Sequence, residues 1–276
     1  MLQFSFVVSK WLGYPIPNLF ETPESFMEFE RALSLLKENG FAGVELNLNF
    51  NDKPLLTRIK DAIDQAGLNL AAVGTGLLYA IDHLSFTDPD PAKRARAVAV
   101  VKGLVRFASE ANATVIVGMV RGINPLDTEA VRGSLEKCLI ECDSAAEESG
   151  TKLALEAINR YETKSLNTAE EVATLLDELK LRASGLLLDT FHMNIEEQSL
   201  DLTISKYESQ IAHFHMADSN RWPPGNGHLN LEAILKQLRD MEYGGWASAE
   251  VLPKPSRVGA VMETADYLKR HTLLAH

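Results

Sequence analysis

The chain has 276 residues, of which 46% are apolar and 24% are charged, a composition typical of a globular protein. The net charge of −11 disfavours non-specific binding to nucleic acid, because an acidic surface repels phosphate backbones. The N-terminal sequence lacks the charged segment and apolar run of a secretion signal, and no run approaches the roughly 18 apolar residues of a membrane span. These features predict a cytoplasmic protein that does not bind membranes.

Short apolar segments alternate with longer amphipathic segments along the chain. The apolar segments are FSFVV (4–8), GVELNL (43–48), LNLAAVGT (68–75), TVIVGMV (114–120), KLALEAI (152–158), GLLLDT (185–190), IAHFHMA (211–217) and WASAEV (246–251). The intervening segments carry apolar residues at helical spacing, as in 26–40, 97–112 and 231–244. Strands that alternate with helices in this way predict a parallel sheet covered on both faces.

The length of the repeat distinguishes between two α/β architectures. Eight strand–helix units in 276 residues take about 34 or 35 residues each, which is typical of a (β/α)₈ TIM barrel. A doubly wound open sheet is the alternative, but its first turn is more often rich in glycine. The first turn here, SKWLGYPIP (9–17), contains no G-x-G-x-x-G motif. We therefore predict one TIM-barrel domain that spans residues 1–276.

Four side chains of metal-ligand type stand at the carboxyl ends of the last four predicted strands. They are Glu156, Asp189, His215 and Glu250. Because these strand ends meet at one rim of a TIM barrel, we expect the four side chains to converge. Buried carboxylates are costly in isolation, so three acids and an imidazole together indicate a divalent cation. For any single acid, such as Asp189, a helix cap or a salt bridge is the alternative.

Further polar residues belong to the same predicted rim. Glu162 lies in the loop after the fifth strand, His192 follows the sixth strand, and Arg221 lies in the loop after the seventh. An ordinary loop salt bridge is the alternative role for Arg221. His213 shares a strand face with His215 and lies one layer deeper, so we expect it to be a hydrogen-bonded core or supporting histidine.

Two features near the rim suggest how a substrate is bound. Arg121 ends the fourth predicted strand, and its planar guanidinium suits a substrate carboxylate; a salt bridge at the top of the barrel is the alternative. Trp11, Tyr14 and Phe20 lie in the first strand–helix loop. They form either an apolar wall over the substrate or ordinary packing contacts.

Several motifs resemble the ketose 3-epimerases, the D-tagatose and D-psicose 3-epimerase group of the xylose-isomerase-like barrels. These motifs are LEAINRYE, NTAEE, LLLDTFHMNIEE, HFHMADSNR and PGNGH. The family motifs are concentrated in residues 150–252, whereas the first seventy residues share only the alternation of strands and helices. AVGTGLLYAIDHLSFTDPDP (72–91), VIVGMVRG (115–122) and ADSNRWPPGNGH (217–228) are more similar to a sub-branch that includes 5-keto-L-gluconate epimerase.

The resemblance implies one divalent ion held by the four strand-end ligands. Mn²⁺ or Co²⁺ is favoured, with Mg²⁺ and Zn²⁺ as alternatives, since the ligand set contains no thiolate. It also implies that Glu162, His192 and Arg221 hydrogen-bond the substrate near its carbonyl. Glu156 and Glu250 would be the acid/base pair that inverts the neighbouring carbon through a cis-enediolate.

The expected partner is a small keto sugar or keto-sugar acid, and the sub-branch together with Arg121 favours the acid. An aldose–ketose isomerase on the same barrel is the enzymatic alternative. A catalytically silent sugar-binding barrel is the non-enzymatic alternative, although it would be expected to lack Glu156 or Glu250. A nuclease of the endonuclease IV type would need more metal-binding histidines and a basic face than this acidic chain offers. The resemblance also leaves a homo-oligomer open.

Overall fold

Eight parallel strands form a closed barrel in the computed structural model, which describes residues 2–8, 10–11, 14–15, 20 and 22–271, with the backbone alone at 10–11 and 14–15. The strands are β1 (Gln3–Val8), β2 (Gly43–Asn47), β3 (Asn69–Gly74), β4 (Thr114–Val117), β5 (Lys152–Glu156), β6 (Ser184–Asp189), β7 (Ile211–Met216) and β8 (Trp246–Ala249). Each strand pairs with the next, and β1 closes the barrel against β8. This arrangement confirms the predicted (β/α)₈ fold.

Helices surround the barrel and connect its strands. They are α1 (Pro23–Glu38), α2 (Lys53–Gln65), α3 (Gly76–Ala80), α4 (Pro91–Glu110), α5 (Glu129–Ser149), α6 (Ala169–Leu179), α7 (Thr190–Glu196), α8 (Leu200–Lys206), α9 (Leu231–Asp240) and α10 (Arg257–Arg270). Helix α1 shows why they form here: Thr22 and Ser25 make a capping box at its start, and Phe29 and Leu33 are fully buried on its inner face. None of the helices in the described ranges is long and apolar enough to cross a membrane.

The fourth predicted strand is shorter than the sequence suggested. The predicted segment runs to residue 120, but β4 ends at Val117 and a 3₁₀ turn over Met119–Arg121 follows. The chain leaves the sheet at Gly118 and turns again at Gly122, whose φ of 101° lies in the left-handed region that favours glycine. Arg121 therefore lies on a turn and not on a strand.

The interior of the barrel contains a buried polar layer below the rim. His213 Nε2 lies 2.8 Å from Glu45 Oε2 and 3.1 Å from Ser248 Oγ, which in turn contacts Ser5 Oγ. All four side chains are almost completely buried. Because buried polar groups are costly unless they are paired, this connected layer fixes the interior arrangement of β1, β2, β7 and β8.

Candidate metal centre and active site

The four strand-end ligands converge at the carboxyl end of the barrel. Each offers a ligand atom, and these atoms all lie within 4.8 Å of one another. His215 Nδ1 is 3.4 Å from Glu250 Oε2, 3.8 Å from Asp189 Oδ2 and 4.0 Å from Glu156 Oε1. The structure thus brings together the four residues that strand-end spacing selected.

The cluster fits a divalent cation because two of its buried atoms lack a hydrogen-bond partner. They are Asp189 Oδ2 and His215 Nδ1. The other carboxylate oxygen of Asp189 caps α7 by accepting from the amide of Phe191 at 2.7 Å, so Asp189 is a helix cap that still has one free oxygen. An unsatisfied buried polar atom costs about 1–3 kcal/mol, and a shared cation would satisfy both atoms. Three carboxylates and one imidazole suit Mn²⁺, Co²⁺ or Mg²⁺.

The two glutamates of the cluster lie in electrostatically different surroundings. Burial, followed by the charge of Glu250, raises the pKa of Glu156 to about 8. Burial also acts to raise the pKa of Glu250, but Arg221 and His215 outweigh it and hold that pKa well below its usual range. In the metal-free protein, therefore, one carboxyl group retains its proton at neutral pH while the other is ionised.

Glu45 supports the cluster from below, and sequence reasoning missed it. His213 and His215 direct Nε2 at its carboxylate, at 2.8 and 3.0 Å. Burial acts to raise the pKa of Glu45, but the charge of His215 and the two hydrogen bonds lower it to about 2. Since Glu45 can only accept, His215 carries a proton on Nε2 and turns Nδ1 toward the cluster. The contact also confirms His213 as a hydrogen-bonded core histidine.

Arg221 closes one side of the cluster. Its guanidinium donates to Glu250 Oε2 at 2.6 Å and lies 3.4 Å from Glu162 Oε1. The residue has a φ of 61°, which is uncommon for a side chain other than glycine. Its amide donates to the carbonyl of Asp218, and its carbonyl accepts from the amide of Leu252. The backbone is thus held in a costly conformation that directs the guanidinium into the rim.

His192 and Glu162 lie beside the cluster and share one neighbour. His192 Nε2 is 3.6 Å from Glu156 Oε1, and its Nδ1 is 2.7 Å from Asn159 Nδ2. Asn159 Nδ2 also donates to Glu162 Oε1 at 3.0 Å. Asn159 is almost completely buried and was not among the predicted site residues. The structure therefore places Glu162, His192 and Arg221 together at the rim, with Asn159 joining two of them.

Arg121 has a different environment from the one expected of a substrate ligand. It is 1% exposed, and burial lowers the pKa of its guanidinium to about 10. The guanidinium lies 3.2 Å from the carbonyl oxygen of Leu166 and 3.3 Å from that of Gly122. Arg121 is not among the described residues that line the rim cleft. Its contacts join two loops at the top of the barrel, so the structure does not bring it to the predicted substrate position.

The aromatic residues of the first loop divide into two groups. Phe20 is buried, and its ring packs edge-on against Phe29 and Phe50 at centroid distances of 5.2 and 6.1 Å. This favours the packing role over a wall above the substrate. The side chains of Trp11 and Tyr14 lie outside the described residues.

The cluster opens into a cleft of about 90 Å³. His192 and Arg221 line one part of it, and Asn47, Gly74 and Gly118 line another. A β-carbon at position 118 would lie 2.5 Å from Glu156 Oε2, so a glycine is needed there for Glu156 to adopt its present position.

A larger cavity of about 800 Å³ lies at the opposite end of the barrel. Gln3, Lys152 and Trp246, which begin β1, β5 and β8, are among its lining residues. TIM-barrel chemistry takes place at the carboxyl ends of the strands, so we assign the active site to the smaller cleft.

Comparison with known proteins gives consistent results. The sequence profile of the xylose isomerase-like TIM barrel family matches residues 33–271. A D-psicose 3-epimerase from Enterocloster bolteae is 30% identical over 87% of this chain and 82% of its own length. A 3-dehydro-D-guloside 4-epimerase from Escherichia coli is 31% identical over 46% of this chain and 48% of its own.

A solved structure shares the fold. The D-psicose 3-epimerase of Clostridium cellulolyticum H10, determined with D-tagatose, superimposes with a TM-score of 0.78 and 20% identity. The match covers 99% of this chain and all of the other.

Proposed function

Since this chain belongs to the xylose isomerase-like TIM barrel family, we propose that its rim cluster is the centre of a metal-dependent epimerase that inverts the carbon next to a keto group. The chain is a carbohydrate epimerase of the isomerase class, as its relatives are. The observation that carries the finer proposal is the pair of Glu156 and Glu250. They converge on one cation-type cluster, with Glu156 at the end of β5 and Glu250 just after β8, two strands that β6 and β7 separate in the barrel.

The proposed cofactor is one divalent ion, Mn²⁺ or Co²⁺, held by the four strand-end ligands. The unpartnered atoms Asp189 Oδ2 and His215 Nδ1 support this assignment. When bound, the ion polarises the substrate carbonyl and lowers the energy of the negative charge that develops on its oxygen.

Proton transfer falls to the two glutamates. One takes the proton from the carbon next to the carbonyl, and the other returns a proton to the opposite face of the resulting cis-enediolate. Glu156 ends β5 and Glu250 follows β8, and β6 and β7 lie between these strands, so the two carboxylates enter the rim from separate directions. The substrate's configuration decides which glutamate starts as the base.

The neighbouring side chains hold the substrate oxygens. Arg221 carries a fixed positive charge beside Glu250 and Glu162, and it would stabilise an enediolate oxygen. His192 directs Nε2 toward Glu156 and would hydrogen-bond an oxygen next to the reacting carbon. Together they would hinder rotation of the cis-enediolate.

The placement of Arg121 changes the proposed substrate. The expectation of a keto-sugar acid depended partly on that guanidinium, which contacts carbonyl oxygens away from the cleft. Among the described cleft residues, Arg221 is the one arginine, and it already contacts two glutamates. We therefore propose a neutral keto sugar first and a keto-sugar acid second.

The test is proton exchange in D₂O with Mn²⁺-loaded protein. Ketohexoses, keto-sugar acids and a 3-keto-glucoside are each incubated with the enzyme and followed by NMR. We expect deuterium to enter at the inverted carbon next to the keto group, together with formation of the epimer. Deuterium at C1 or C2 with an aldose product would instead identify an aldose–ketose isomerase.

Two substitutions serve as controls for the mechanism. Glu156→Gln and Glu250→Gln should each abolish turnover while the circular dichroism spectrum stays that of the folded protein. Activity like that of the wild type in either variant would contradict the two-glutamate mechanism. Sugar binding by the wild type without any exchange would support the silent sugar-binding barrel.

A further inference from the structure

Asn159 contacts three groups through its side-chain amide. Its Nδ2 lies 2.7 Å from His192 Nδ1 and 3.0 Å from Glu162 Oε1, and its Oδ1 accepts from the amide of Tyr161 at 2.9 Å. The residue is 1% exposed, so these contacts are made away from bulk water. A buried amide with three neighbours has little freedom to turn.

The neighbours determine which way this amide faces. The backbone amide of Tyr161 can only donate, so it requires the oxygen of Asn159. Glu162 Oε1 is a carboxylate oxygen that accepts, so it requires the nitrogen. Rotating the amide by 180° would place its nitrogen against the N–H of Tyr161 and its oxygen against Glu162 Oε1, so both hydrogen bonds would be lost. Asn159 Nδ2 therefore also donates to His192.

This orientation sets the tautomer of His192. A ring nitrogen that accepts a hydrogen bond carries its lone pair, so Nδ1 is unprotonated and the proton resides on Nε2. Nε2 faces the cleft, 3.6 Å from Glu156 Oε1 and 4.0 Å from Asp189 Oδ2. We propose that Asn159 is a positioning residue that fixes the Nε2–H tautomer of His192, so that His192 acts as a hydrogen-bond donor to a substrate oxygen beside the ion site.

The assignment has a chemical consequence for the reaction. A ring that carries its proton on Nε2 cannot use that nitrogen to remove a proton from carbon, which leaves this step to Glu156 and Glu250. The same amide holds Glu162 toward Arg221. The substrate part of this inference rests on the proposed function, whereas the tautomer does not.

The tautomer can be measured by NMR on metal-free protein labelled with ¹⁵N in its seven histidines. The signals of His192 are assigned by their loss in His192→Gln. In the wild type we expect His192 Nδ1 to resonate as an unprotonated nitrogen and Nε2 as a protonated one. In Asn159→Asp the new carboxylate can only accept, so we expect Nδ1 to become protonated.

Asn167→Asp provides a matched control in the same loop. Its amide donates to the carbonyl of Ile158 at 2.7 Å and does not contact His192, so the His192 signals should stay as in the wild type. With metal restored, Asn159→Asp should lower kcat at least about tenfold, because the cleft loses a correctly placed donor.

The outcomes separate the inference from the proposed function. A protonated Nδ1 in wild-type His192 overturns the tautomer assignment, and this measurement does not depend on the folding of Asn159→Asp. A switched tautomer in Asn159→Asp with unchanged turnover overturns the donor role. Absence of turnover of every keto sugar by the wild type contradicts the proposed function and leaves the tautomer result standing.

Discussion

Metal binding should release protons at neutral pH, because Glu156 retains a proton in the metal-free protein. Its pKa is raised from 4.5 to about 8, mainly by burial and then by the charge of Glu250. The native metal-free state therefore binds more protons than the unfolded state between these pH values. The stabilisation is fully present below pH 4.5 and is lost as the pH rises to about 8. A difference of about 3.5 in pKa lowers the free energy of unfolding of the metal-free protein by up to about 5 kcal/mol over this pH range.

The number of released protons follows from the same pKa values. With a pKa of about 8, Glu156 is mostly protonated at pH 7 and mostly ionised once the pH exceeds 8. Burial acts to lower the pKa of His215, but Glu45 and Glu250 outweigh it and hold the pKa well above its usual range. Because a metal ligand must give up its proton, we expect about two protons released per ion at pH 7.

Isothermal titration calorimetry with Mn²⁺ measures this release. Titrations in buffers of low and high ionisation enthalpy give the number of protons per ion, and the number should fall when the pH is raised to 8.5. Glu156→Gln removes one of the titrating groups and should lower the release at pH 7 by about one proton. A release near zero in the wild type at pH 7 would refute the protonated states of Glu156 and His215.

Three substitutions test individual contacts. Glu45→Gln should weaken Mn²⁺ binding about 10- to 100-fold in calorimetry, because it removes the charge that orients His215, and an unchanged Kd would contradict this role. Arg121→Lys should lower the free energy of unfolding in urea by about 2 kcal/mol through lost hydrogen bonds, while kcat/KM stays within about twofold of the wild-type value. A KM that rises for keto-sugar acids alone would instead show that Arg121 binds the substrate carboxylate. Gly118→Ala should lower kcat about tenfold or more, because its β-carbon would displace Glu156, and full activity would show that Glu156 tolerates the shift.

The fold and the convergence of the four strand-end residues were predictable because they depend on periodic features of the sequence. Every predicted strand segment contains one strand of the barrel, and the sequence places a side chain of metal-ligand type where each of the last four strands ends. In a parallel barrel these ends must share one rim, so residues that recur once per strand–helix unit are expected to lie close together. Asp189 is an example: one of its carboxylate oxygens caps α7, and the residue still lies in the cluster.

Glu45 and Asn159 were missed for different physical reasons. Glu45 lies in β2 within an apolar segment, and its partner His213 is 168 residues away across the barrel. A carboxylate within an apolar strand segment is expected to be buried, and burial is costly unless the carboxylate is paired. The sequence therefore gave the same signal for Glu45 as for the strand-end acids. Asn159 gave no such signal, because an amide carries no charge and its function depends on the orientation that three neighbours impose.

Arg121 shows how a small error in a strand boundary changes a functional assignment. If β4 had continued to residue 120, Arg121 would have stood at the rim like the four ligands. The strand ends at Val117, and the following turn directs the guanidinium to the carbonyl of Leu166. A buried arginine whose bonds all go to neutral acceptors keeps its charge at a cost, which its lowered pKa reflects. Its hydrogen bonds in turn stabilise the loop from 158 to 166, and this loop carries Asn159 and Glu162 into the site. Arg121 thus holds the backbone of the loop that carries two of the proposed site residues, which is why the substitution of Arg121 by lysine is expected to affect stability more than substrate affinity.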